Sequence, residues 1–183
     1  MASTFPGTTI EVSALEADSS VVLFDGIFAA GGITLSQVSV MTGLEPYVIQ
    51  NWVKRGFVSS PIKRMYDRDQ FARIVIINML RETLRLDQIC ELLRLFEKQT
   101  DGDARMGDAH LYHSYVNMAC DPDMRWSDTE SVQRAAARCI GDGLGHDAGR
   151  KRQLVEILQI MLYAHASARL RQSAEGRLSD LES

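Results

Sequence analysis

Three cysteines, four prolines and two tryptophans in 183 residues set the first limits on this chain. Cys90, Cys120 and Cys139 are odd in number and widely spaced, with no Cys-x-x-Cys pair. A disulfide framework is therefore excluded as the organising principle, and reduced thiols are expected. The first 32 residues contain no Lys or Arg, so the cationic start of a signal peptide is missing. No apolar run reaches the roughly 20 residues a membrane span needs: the stretch 21–30 holds Asp25, and 154–168 is interrupted by Glu156 and His165. A soluble, cytoplasmic protein is expected. P-loop, Gly-x-Ser-x-Gly and His-Glu-x-x-His patterns are absent as well. Enzymatic activity, a catalytic residue, a metal site and a cofactor are not expected.

What is present is an ordinary globular composition, 45 % hydrophobic and 24 % charged, long enough to bury a real core. The net charge of −4 taken alone argues against nucleic acid, but its distribution argues the reverse. Residues 50–73 carry six bases against two acids, while 95–149 carry five bases against ten acids. A local basic patch on an acidic body suits a regulator that touches a polyanion with one end.

The pattern along the chain is helical. Residues 1–20 read as a mobile arm, and 21–30 as a short helix stopped by Gly31 and Gly32. Thr34-x-x-Gln37 is a capping box, in which the Thr oxygen accepts an orphan N–H and the Gln reaches back. Its helix buries Leu35, Val38 and Met41 and ends at Gly43. Pro46 opens a second helix, in the first turn where its missing N–H costs nothing. That helix runs to about Arg55 and stops at Gly56. Asp67-x-x-Gln70 caps a long helix, and Leu86, Ile89, Leu92 and Leu93 define another. A polar break over 100–108 follows, then helices over 111–119 and from the cap Asp128 to Ile140. A glycine loop with Gly141, Gly143, Gly145 and Gly149 leads to a final helix over 150–172. The division expected is an arm (1–20), a DNA-binding domain (21–94) and an acidic helical C-terminal region (95–183).

The 46–55 helix carries the functional signal. Ile49 and Trp52 point one way, whereas Tyr47, Gln50, Asn51 and Lys54 fall at i, i+3, i+4 and i+7 on the other face. Asn and Gln can pair with adenine in the major groove. Lys54, Arg55, Lys63 and Arg64 suit phosphates, where charge and counterion release supply affinity, and Thr34 can donate to a phosphate at its helix start. His110-x-x-His113 falls short of the three or four ligands a zinc site needs. His146-Asp147 reads as a turn.

The segment resembles the DNA-binding domain of MerR-type regulators. The residues that carry the likeness are Ile33-Thr34, Thr42-Gly43-Leu44, Ile49-x-x-Trp52, Arg55-Gly56-Phe57, Tyr66 with Gln70-Phe71, and Leu86-Asp87-x-Ile89-x-x-Leu92-Leu93. More narrowly, AAGGITLSQVSVMTGLEPYVIQNWVKRG and KRMYDRDQFARIVIINML are similar to an uncharacterised bacterial family of unknown function that joins such a helix-turn-helix to a helical C-terminal region. The closing RKRQLVEILQIMLYAHASARLRQSAE also suits it, extending the likeness over residues 25–175. The resemblance implies an all-α fold: a winged helix-turn-helix with a very short wing, then a helical bundle that dimerises. It also implies a transcriptional regulator that binds double-stranded DNA as a homodimer, with an effector acting on the C-terminal region. Two departures stand out. Gln50 occupies the position where these regulators usually carry a phosphate-binding Arg, and the stretch 56–66 is several residues shorter than their winged loop. They motivate an alternative, a protein-interaction adaptor on a helix-turn-helix that no longer binds DNA.

Overall fold

The computed structural model describes residues 3–100, 106–140 and 148–181. Eight helices form among them: α1 (Ser19–Ile27), α2 (Leu35–Thr42), α3 (Pro46–Lys54), α4 (Arg68–Leu80), α5 (Leu86–Thr100), α6 (Asp108–Ala119), α7 (Thr129–Ile140) and α8 (Ala148–Leu181). Four two-residue strands make two small antiparallel pairs: β1 (Ser3–Thr4) with β2 (Glu11–Val12), and β3 (Ile33–Thr34) with β4 (Met65–Tyr66). The protein is thus all-α with two minimal ribbons. Most of the expected glycine loop and of the polar break falls outside the described residues, as does His146-Asp147; Gly149, assigned to that loop from sequence, lies in the first turn of α8. No helix of the described residues is long and apolar enough to cross a membrane.

Local signals set the helix starts. Gln37 N–H donates to Thr34 Oγ1 at 3.3 Å while Thr34 N–H donates to Gln37 Oε1 at 2.8 Å, closing the first capping box. Asp67 and Gln70 close the second, at 2.8 and 2.9 Å. Asp128 accepts from the amides of Glu130 and Ser131 at 3.2 Å each, so α7 starts where its cap stands. Gly43 (φ 68) and Gly56 (φ 77) end α2 and α3 in the left-handed region that costs glycine least.

Helix α4 is the hub. Phe71, Ala72, Ile74, Val75, Ile76 and Ile77 are all fully buried, so its apolar surface is wider than the single stripe of a surface helix, as a central helix requires. It packs against α2, α5, α6 and α8, and one hydrophobic cluster runs from Phe24 through Phe71 and Tyr112 to Leu162. The domain boundary expected near residue 94 therefore does not divide the core. Apolar residues on both sides of it are buried together in one cluster.

Charge is also buried at this junction. Arg73 of α4 donates from Nε to Asp108 Oδ2 at 2.6 Å and pairs with Glu97. Burial pushes the Asp108 carboxyl up against the pull of Arg73, and its Oδ1 has no hydrogen-bond partner among the described residues.

Residues 3–12, read from sequence as part of a mobile arm, instead form the β1–β2 hairpin and dock. Phe5 is only 4 % exposed, and the Tyr112 hydroxyl donates to Pro6 O at 2.9 Å. Asn78 Nδ2 donates to Gly7 O at 3.0 Å. A Cβ on Gly7 would lie 2.3 Å from Val75 O, so glycine lets this loop touch α4 directly. The arm's polar composition hid a few anchor residues that decide its place.

Helix α8 runs nine residues beyond the end expected at Gln172, to Leu181. Every residue of the stretch 169–181 is exposed, so it stands clear of the body. Arg171 and Gln172 each donate to Glu82 Oε2 at 2.9 Å, tethering the base of this extension.

Candidate nucleic-acid interface

Helix α3 is short, and two buried side chains fix its orientation. Ile49 is fully buried and Trp52 is 4 % exposed. Their inward turn forces Tyr47, Gln50, Asn51 and Lys54 outward, and all four are exposed. Tyr47 is 69 % exposed, a high value for an aromatic ring with no other ring near it among the described residues. The face read from sequence at i, i+3, i+4 and i+7 is thus one continuous surface.

Beside it stands the β3–β4 ribbon. Ile62 and Met65 exchange backbone hydrogen bonds, 3.1 Å from Ile62 N–H and 2.9 Å from Met65 N–H, closing a two-residue hairpin whose tip is Lys63-Arg64. Both tip residues have positive φ, 50° and 65°. A two-residue hairpin requires such angles, and Asn-Gly or a similar pair normally meets the demand. Two long cationic residues there carry local strain, the kind found where a position is held for function. Ser59 and Ser60 lie at the base of the ribbon. Gln70 holds it: Nε2 reaches Ser59 O and Oγ at 3.1 Å and Ser60 O at 3.0 Å. The same amide's Oε1 serves the α4 cap. The capping-box pattern foretold half of that role; the other half involves residues ten and eleven positions away and has no local signal.

A groove of about 420 Å³ runs between α3 and the ribbon, with Gln50 and Arg64 both on its lining. Thr34 sits on β3, exposed, but its hydroxyl donates to Gln37 Oε1 at 3.1 Å, so the helix cap already holds the proton expected for a phosphate. Arg55 lies over the Phe57 ring at 4.6 Å, a cation–π contact.

The disposition of charge separates the six bases of 50–73 into two groups. Arg68 pairs with Asp25 at 2.7 Å, and Arg73 with Asp108 and Glu97. Lys54, Arg55, Lys63 and Arg64 have no ion pair among the described residues, and all four are exposed. The pattern did not tell these groups apart in sequence, because the acids that neutralise Arg68 and Arg73 come from α1, α5 and α6.

His110 and His113 do not stand as a pair. His113 Nδ1 is 2.9 Å from Ser20 Oγ, with its ring edge-on to Phe24 at 4.8 Å; His110 lines a small space with Phe96, Leu111 and Leu158.

Residues 32–115 match the family model of a domain of unknown function, DUF1836. The matched segment runs from Gly32, just before β3, into the second half of α6. It takes in α3 and the ribbon but stops well short of residue 175, to which the sequence likeness was extended. Neither the curated proteins nor the solved structures yield a match.

Proposed function

We propose that the protein is a sequence-specific double-stranded-DNA-binding regulator in which α2 and α3 form a MerR-like helix-turn-helix and the Lys63-Arg64 hairpin is a stub of wing. One observation carries this reading: of the six bases in 50–73, the four on α3 and the hairpin are the ones without an ion pair among the described residues, although the chain as a whole is acidic. Unneutralised side chains on a rigid helix and hairpin suit phosphates, and the amides of Gln50 and Asn51 between them suit base edges.

The protein acts as a homodimer. Ile160 (43 % exposed), Tyr163 (40 %), Leu170 (53 %), Leu178 (59 %) and Leu181 (85 %) follow one side of α8, at spacings close to a heptad. A helix end of about 20 Å with its leucines in water would fray alone. A second copy, aligned along the same stripe, gives it a partner and supplies the second reading head that a two-fold operator needs.

Selection from a random duplex pool, followed by salt titration and sedimentation of the selected complex, tests the reading. Two chains per duplex are expected, with affinity falling by about 0.9 log units per log unit of salt for each phosphate neutralised. Lys54→Ala or Arg64→Ala weakens every sequence alike, whereas Gln50→Ala or Asn51→Ala changes the preferred sequence. No retention on DNA at low salt ends the reading and favours the adaptor.

A further inference from the structure

A large cleft lies away from α3, between the N-terminal loop, the end of α4 and the middle of α8. Its volume is about 610 Å³, and its wall includes Gly7, Thr8, Asn78, Arg81, His165 and Arg169. The lining is polar, and its charge is unbalanced. Glu82, also on the wall, is already answered by Arg171 and Gln172. Arg81 and Arg169 have no ion pair and no side-chain hydrogen bond among the described residues. Two guanidinium groups from different helices thus line one concavity without counter-charges.

His165 adds a donor. Its Nδ1 is 2.5 Å from the Tyr115 hydroxyl, which is fully buried and makes no other hydrogen bond among the described residues. A buried hydroxyl places its proton where an acceptor stands, so Tyr115 donates to Nδ1 and the ring proton sits on Nε2. Arg169 follows His165 by one helical turn, on the same face of α8. That face is opposite the Ile160, Tyr163 and Leu170 stripe, so the cleft stays open when the stripe is covered.

We propose that this cleft is a binding site for a small organic anion of about two charges, held by Arg81 and Arg169 with His165 as a neutral donor. Guanidinium forks match phosphate and carboxylate oxygens alike, so a phosphate monoester and a dicarboxylate share the required chemistry. The site is mechanically joined to α2. Thr9 N–H donates to Met41 O and Thr9 Oγ1 to Val40 O, both at 2.8 Å. Asn78 Nδ2 bridges Gly7 O and Thr42 O at 3.0 Å each. The loop that walls the cleft therefore also grips the C-terminal turn of α2, next to the Gly43 bend that aims α3. Binding there changes the freedom of that turn, which gives the anion a route to the DNA-reading face; this consequence, though not the binding itself, rests on the regulator reading above.

Calorimetric titration of the full chain with inorganic phosphate and, separately, with succinate tests the site. Saturable binding of at least one is expected, and the stronger of the two identifies the source chemistry. Arg81→Ala and Arg169→Ala, both at exposed positions, each weaken it tenfold or more, while Arg134→Ala, on α7 and off the cleft's wall, leaves it within about twofold. Amide exchange at Thr9 and residues 41–43 slows in the bound state. Absence of saturable binding of either anion, or unchanged binding in the Arg81→Ala/Arg169→Ala double variant, overturns the proposal. Failure of DNA binding alone, with anion binding intact, removes the regulator reading and leaves the site standing.

Discussion

Gln70 shows how much one side chain decides at this surface. Its carbonyl oxygen caps α4 and its NH₂ group holds the base of the hairpin, so the two roles can be separated chemically. Gln70→Glu keeps an acceptor for the Asp67 amide and loses the donors. The hairpin amides of residues 59–65 are expected to lose exchange protection, with global stability changed little. Gln70→Ala removes both roles and is expected to cost about 1–2 kcal/mol in urea unfolding. Equal loss in both variants would show that the hairpin does not depend on this amide. The cap was legible in the Asp67-x-x-Gln70 spacing, which is local; the bonds to Ser59 and Ser60 were not. Nor was the positive φ at Lys63 and Arg64, because nothing in two adjacent cations signals a tight hairpin.

Among the elements, α4 links the charge pattern of the surface to the core. Arg73 belongs by sequence to the basic segment, yet its guanidinium is 18 % exposed and Asp108 is 8 % exposed, so the pair ties α4 to α6 rather than facing solvent. Removing one partner of such a pair strands the other. Arg73→Met is therefore expected to destabilise by roughly 3–5 kcal/mol, and adding Asp108→Asn recovers part of the loss, as read by denaturant midpoints. A loss below about 1 kcal/mol for Arg73→Met would mean that the pair is solvated in solution. The periodicity of α3, α4 and α5 was legible because apolar and polar positions alternate with the helical turn. The docking of residues 3–12 was not, because Phe5 and Gly7 are isolated anchors in a polar stretch and their partners lie on α4 and α6.

For the molecule as a whole, two half-buried histidines set an acid limit. Burial pushes His113 down to about 4, with His110 and Arg68 adding to it, and burial with Arg169 does the same for His165. Both are neutral in the folded protein at neutral pH and protonate more readily once unfolded, near 6.5. Their contribution is therefore complete above about pH 6.5 and is lost as pH falls toward 4. Each proton taken up on unfolding steepens the decline by about 1.4 kcal/mol per pH unit, less what partial exposure of the rings allows. Carboxylates held low by arginines, such as Asp121 beside Arg138, act in a more acidic window. Chemical unfolding across pH 4–7 should show this decline, and His113→Gln with His165→Gln should flatten it. A wild-type curve already flat between 6.5 and 4 would contradict the assignment.

Local chemistry by itself determined the helices, their caps and the two faces of α3, since side-chain spacing and terminal hydrogen bonds involve residues within a turn or two of one another. It also marked the chain as helical and placed its cations together. Only the tertiary structure decided which cations stay unpaired, where the N-terminal loop docks and which side of α8 meets the body. Those outcomes depend on contacts between residues 24 to 106 positions apart, and no local pattern encodes which acid will arrive beside which base.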